Sequence, residues 1–229
     1  MRRSNRMRPN QRRAWEANRD RFVLDVPRLD TSTSVHPAAS LDLVQGFGRD
    51  AGLVVEIGPG TGESLIPMAK ARPLANVLAF EVYEPAIARM VAQLVRNGLD
   101  NVRIVEADAV AAMEHLVPVG SVGEIWLFFP DPWQKARHRK RRLLTPEFAA
   151  LSASRMKHGA TWRIATDWAE YAEWMRQVLD SDPRLTNLHP NSWAPRWDGR
   201  PVTHFEQRGL DAGRQIFDLA YRRVGCYAP

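Results

Sequence analysis

The sequence predicts an α/β fold, an open and mostly parallel sheet with helices on both faces and a closing antiparallel strand. Three observations predict it. From residue 53 onward, short β-branched or apolar runs alternate with longer helical stretches, the rhythm of βαβ units. A glycine-rich turn separates the first such run from the first helix. After residue 183 the rhythm changes, and the chain closes on an alternating segment, 215–223.

Residues 1–35 show no hydrophobic periodicity and are dominated by Arg, Asn, Ser and Thr. They are expected to form a basic, flexible N-terminal arm, with a short helix around 11–21, ahead of one domain over 36–229. Strands are expected at 53–57, 77–82, 102–106, 124–129 and 161–165. Helices are expected between and after them at 62–72, 85–97, 109–116, 145–158 and 168–179. A loop rich in Pro, Trp and Arg over 191–208 leads into 215–223, where Ile216, Leu219 and Tyr221 fit the closing strand.

The 229 residues are 45% hydrophobic and 25% charged, as in an ordinary globular chain. The densest apolar run, 125–129, stops at Pro130, far short of the roughly 20 residues that span a bilayer, so no membrane partner is expected. Cys226 is the only cysteine, which excludes an internal disulfide, a Cys-based zinc site and an iron–sulfur cluster. The basic N-terminus has no apolar run behind it, so it does not read as a secretory signal, and a reducing cytoplasm is the expected location. The six histidines are dispersed without an H-x-x-x-H pair, and no metal is expected.

Of the net charge of +6, residues 1–21 account for all, with eight Arg against Glu16 and Asp20. A second cluster, Lys135, Arg137, Arg139, Lys140, Arg141 and Arg142, contains no acid. Both suit a polyphosphate partner; a solvated tail and a solvated helix face are the plain alternative.

The glycine-rich turn reads Glu56-Ile57-Gly58-Pro59-Gly60-Thr61-Gly62. Its glycines let a ligand approach the backbone, with helix N–H donors beyond. A dinucleotide fingerprint starting at Gly58 needs glycine at position 63, which is Glu63. An acid at position 56 would repel a pyrophosphate but suits the ammonium or hydroxyls of an amino-acid-bearing cofactor. The spacing resembles the first motif of class I S-adenosylmethionine (SAM) methyltransferases, a Rossmann-like fold. Glu81 ends the second strand, where a carboxylate can accept ribose hydroxyls, and Asp108 follows the third, placed to accept from an adenine amine. Capping of helix 109–116 is the competing role for Asp108.

The fourth strand runs into Phe128-Phe129-Pro130-Asp131-Pro132-Trp133-Gln134-Lys135 and then the basic cluster. Two prolines stiffen the chain around Asp131, and Trp133 offers a flat face for a base. This stretch resembles the signature of bacterial tRNA (guanine-N7-)-methyltransferases. Ala165-Thr166-Asp167-Trp168, the segment from Pro195 to Glu206 and the arm around Arg6–Arg12 are similar to the same family. The resemblance implies SAM as cofactor, held by Glu56, Gly58, Gly60, Gly62, Glu81, Asp108 and Asp131. It implies Asp131 as the catalytic candidate, and Lys135, Asp167, Thr203, His204, Phe205 and Glu206 as substrate-binding residues. The implied reaction is methyl transfer to N7 of guanosine 46 in the tRNA variable loop. Two positions depart from the pattern: Pro59, where phenylalanine is common, and His204, where lysine is common. A SAM methyltransferase with another substrate and a non-catalytic RNA-binding protein are the rival readings, and monomer and homodimer are both open.

Overall fold

The computed structural model describes residues 9–225, so the expectations for residues 1–8 and for Cys226 lie outside the described residues. Seven strands form one sheet in the order β3-β2-β1-β4-β5-β7-β6. Strands β1 (Gly52–Ile57), β2 (Ala75–Glu81), β3 (Val102–Glu106), β4 (Val122–Phe128) and β5 (Met156–Thr166) are mutually parallel. Strand β7 (Phe217–Arg223) runs antiparallel between β5 and the short β6 (Leu185–Asn187), so the closing strand falls where its alternation predicts.

The helices are α1 (Pro9–Phe22), α2 (Leu43–Phe47), α3 (Leu65–Lys70), α4 (Glu84–Asn97), α5 (Ala109–His115), α6 (Pro146–Arg155), α7 (Ala169–Asp180) and α8 (His204–Asp211). A 3₁₀ turn covers Ala136–Arg141. Period-two alternation sends Val55, Leu78 and Ile125 into one buried cluster with Phe148 and Tyr171 of α6 and α7. Val54, Val77 and Trp126 face the other way, onto Leu65 and Met90 of α3 and α4. Both faces of the sheet are therefore covered, which is why its central strands are apolar throughout. No helix among the described residues is long and apolar enough to cross a membrane.

The structure corrects three expected element bounds, and over residues 9–35 it seats the chain on the domain: α1 packs on α4, Phe22 is fully buried, and Val23 bridges to Ile104 of β3. The apolar residues here are too sparse to show a period, yet Phe22, Val23, Val26 and Val35 are buried, and burying Phe22 alone is worth about 2–3 kcal/mol. The helix expected over 62–72 is the shorter α3, because the turn continues through Ser64 and the helix stops at Lys70. The helix expected to reach 158 ends at Arg155, and the chain passes directly into β5. The loop expected over 191–208 gives way to α8 from His204, capped by Thr203 Oγ1, which accepts from the Glu206 N–H. That Thr-x-x-Glu spacing is a capping-box signature and was readable.

Candidate active cleft

The carboxyl ends of β1, β2 and β4 open onto one cleft of about 1980 Å³, the ligand-binding edge of an open α/β sheet. Gly58 and Gly60 line its floor, and Gly62, in the same turn, lies outside the lining. Gly60 and Gly62 are left-handed, with φ of 58° and 83°, and a Cβ at Gly62 would stand 3.0 Å from Met90.

Glu56 lies beneath this turn and is buried. Its Oε1 accepts from Ser64 Oγ at 2.8 Å, and its Oε2 has no partner among the described residues. Burial pushes the carboxyl up to about 8, against the smaller opposing effect of the Ser64 bond. A partnerless buried carboxylate oxygen suits an arriving cation, so the residues present fit the ammonium of SAM. Glu81 Oε2 accepts from Gly60 N at 2.9 Å, and Oε1 accepts from Val82 and Tyr83 N at 2.8 and 3.0 Å. It therefore also ties the glycine turn to β2. Asp108 Oδ1 caps α5, accepting from Val110 and Ala111 N at 3.0 and 3.3 Å, while the residue also lines the cleft. The capping role is thus real and compatible with a ligand at the other oxygen.

Asp131 is exposed and lines the cleft on the loop leaving β4. On either side of it Phe129 and Trp133 hold φ of 51° and 44°, strained for non-glycine residues. Arg142 is buried, donates to Pro132 O at 2.9 Å and pairs with Glu170, and the Arg139 guanidinium also approaches Glu170. Part of the acid-free cluster is therefore neutralised from α7, and Arg142 is a brace for the loop. The Arg141 guanidinium lies 5.0 Å over the Trp133 ring, whose edge meets His138. Lys135 is exposed at the start of the 3₁₀ turn and does not line the cleft.

On the opposite wall, Thr203, His204 and Phe205 line the cleft at the start of α8. Phe205 is half exposed, its ring 5.3 Å from that of Phe129. The His204 N–H donates to Glu63 Oε2 at 2.8 Å. Glu206 is buried and accepts from Arg196 Nε at 3.0 Å and from Arg200. Arg200, fully buried, also reaches both carboxylate oxygens of Asp218 at 3.0 and 3.1 Å and sits 5.3 Å from the Phe128 and Phe129 rings. Asp167 does not cap α7; it pairs with Arg214 Nε at 2.9 Å behind this wall. Thus the structure gathers Glu56, Glu81, Asp108, Asp131, Thr203, His204 and Phe205 at one cleft, and leaves Lys135, Asp167 and Glu206 outside its lining. Ser64, Arg200 and Asp218 escaped sequence reading, since nothing local marks a partner so distant along the chain.

A family described as "putative methyltransferase" matches residues 50–219. A tRNA (guanine-N(7)-)-methyltransferase from Cutibacterium acnes is 47% identical over 226 residues, 98% of this chain and 82% of that protein. The chain belongs to the tRNA (guanine-N7-)-methyltransferase family. A second such methyltransferase, from a Nocardioides species, is 46% identical and covers 98% of this chain and 86% of its own length. An rRNA methylase structure from Streptococcus thermophilus shares the fold, with a TM-score of 0.51 at 17% identity over 77% of this chain and 89% of that one. The class I SAM methyltransferase fold expected of the family is the one observed, and SAM is the family's cofactor.

Proposed function

We propose that the protein transfers the methyl group of SAM to N7 of a guanosine in tRNA, with guanosine 46 of the variable loop as target, in the cytoplasm. The observation that carries this reading is one cleft joining a partnerless buried Glu56 oxygen to an exposed Asp131 on a strained, braced loop. Glu56, Glu81 and Asp108 would hold SAM, which when bound supplies an electrophilic methyl group.

Guanine N7 carries a free lone pair and no proton, so its attack needs no general base. The chain's own contribution is then to align the purine and to favour the positive charge that develops on it. Asp131 supplies negative charge at the cleft, and the Phe129–Phe205 pair supplies an aromatic wall beside it. Labelled SAM with two tRNA transcripts, one retaining guanosine 46 and one carrying adenosine there, tests the reading. Label should enter the first alone, and strand scission at methylated N7 should map it. Equal labelling of both transcripts refutes the assignment of that guanosine, and labelling of neither refutes the activity.

A further inference from the structure

Beside the cleft a second groove of about 760 Å³ runs between α4 and α8. It meets the cleft at Thr61, Glu63, Thr203 and His204, which line both. Along its α4 side stand Arg89 and Arg96, both exposed. Seven residues apart, they share a helix face and are separated by about 10 Å along the axis. Neither guanidinium bonds to a carboxylate among the described residues. Nearby arginines differ: Arg19 pairs with Asp25 and Arg21 with Asp100. Arg12 of α1 joins Arg89 at the cleft, so three such guanidiniums lead from its mouth outward.

The groove is also firmly built. Gln93, between the two arginines on α4, donates to Thr61 O at 2.7 Å and ties the helix to the glycine turn. The single carboxylate lining it, Glu63, is engaged at the cleft end by the His204 N–H at 2.8 Å. A groove with two arginines along its α4 wall, continuous with a cleft proposed to admit a nucleobase, has the chemistry of a polyanion path. A nucleotide whose base enters the cleft must lead its backbone out through an opening.

We propose that this groove receives the sugar–phosphate backbone next to the target guanosine, with Arg89 and Arg96 each on a phosphate. Guanidinium forks match phosphate oxygens in pairs, which suits each arginine to one phosphate. The inference rests on the reading of the cleft as a guanosine site.

The test is the double variant Arg89→Ala/Arg96→Ala, with tRNA affinity measured across a salt series and SAM affinity alongside. Removing two exposed phosphate partners should weaken tRNA binding by roughly 5- to 30-fold. It should flatten the slope of log K against log salt by about 1.4–1.8. SAM affinity should stay as in the wild type, and Arg89→Lys/Arg96→Lys should recover much of the affinity. Unchanged tRNA affinity and slope overturn the proposal. So does weakened SAM binding with an unchanged tRNA slope, which would make Arg89 a cofactor contact. The binding readout is independent of methyl transfer, so a wild-type protein that binds tRNA through these arginines but leaves N7 unmodified refutes the proposed reaction and not the groove.

Discussion

Glu56→Gln removes a carboxyl whose ionisation the fold disfavours, and pH exposes the penalty. The carboxyl is 1% exposed, its one bond comes from Ser64, and burial raises its pKa from 4.5 to about 8. In the unfolded chain it ionises near its ordinary value of about 4.3–4.5. Between those two values the folded state binds one proton more than the unfolded state, so stability falls as pH rises. The slope is about 1.4 kcal/mol for each pH unit, and the accumulated loss by about pH 8 reaches up to about 5 kcal/mol. Above that pH both states are ionised and the curve flattens. Urea unfolding of cofactor-free wild type and Glu56→Gln, from about pH 5.5 to about 8.5, measures the difference directly, because the amide does not titrate. The wild type should lose ground steadily against the variant up to about pH 8. Parallel curves would refute the raised pKa. An ammonium beside Oε2 favours the carboxylate, so SAM binding near neutral pH should release close to one proton from the wild type. Calorimetry in two buffers of different ionisation enthalpy reads that proton. The variant should release none and bind SAM about 10- to 150-fold more weakly.

Glu81→Ala should weaken SAM binding by about 10- to 150-fold by calorimetry, since it removes both a hydroxyl acceptor and the tie to Gly60; unchanged affinity in a folded variant excludes the role. Asp131→Asn keeps shape and loses charge, so kcat should fall by about 100-fold with tRNA and SAM affinities retained; a change confined to KM for SAM makes it a cofactor ligand only. Deleting residues 1–22 should lower Tm by about 5–10 °C through loss of α1 and the buried Phe22, whereas deleting 1–8 should leave Tm in place and weaken tRNA binding with a flatter salt slope. Identical melting of the full chain and the longer deletion would contradict the packing of α1.

The sheet and its cofactor edge were legible because each rests on local signals. Runs such as Val54-Val55 and Ile125-Trp126-Leu127 must be buried on both sides, and an acid at each strand end marks the ligand edge. What stayed hidden depends on partners far along the chain. Nothing around Phe22 or Val23 announces β3, because two apolar residues in a basic segment have no period. Gly159 and His158 read as the end of a helix, although β5 is already under way, since a central β4 outweighs local preference. Trp197, in the loop rich in Pro, Trp and Arg, packs against Trp126 with Arg72 and Arg163 over its ring, a role in the scaffold that nothing local announces. Trp133 offered a flat face in sequence; it lines the cleft with the Arg141 guanidinium over its ring.

The least legible part, the Arg200 network, bears directly on catalysis. Arg196 and Arg200 meet Glu206 and Asp218 with equal and opposite formal charge, and three of the four are buried. Burial raises the Asp218 carboxyl despite Arg200, and removing one member of such a set leaves an unpaired buried charge at about 3–5 kcal/mol. Arg200 presses against the rings of Phe128 and Phe129, and Phe129 is the first of the two strained residues flanking Asp131. A left-handed non-glycine residue costs of order 1–3 kcal/mol and persists only where its surroundings over-determine it. Arg200 supplies that constraint on one side of the loop, and Arg142, bonded to Pro132 O, supplies it on the other. Glu206 is thereby linked to the loop of Asp131 through Arg200 and Phe129, without facing the cleft itself. In the proposed reaction, which moves no proton, alignment would carry the catalytic advantage, and the bracing of this loop is what would supply it.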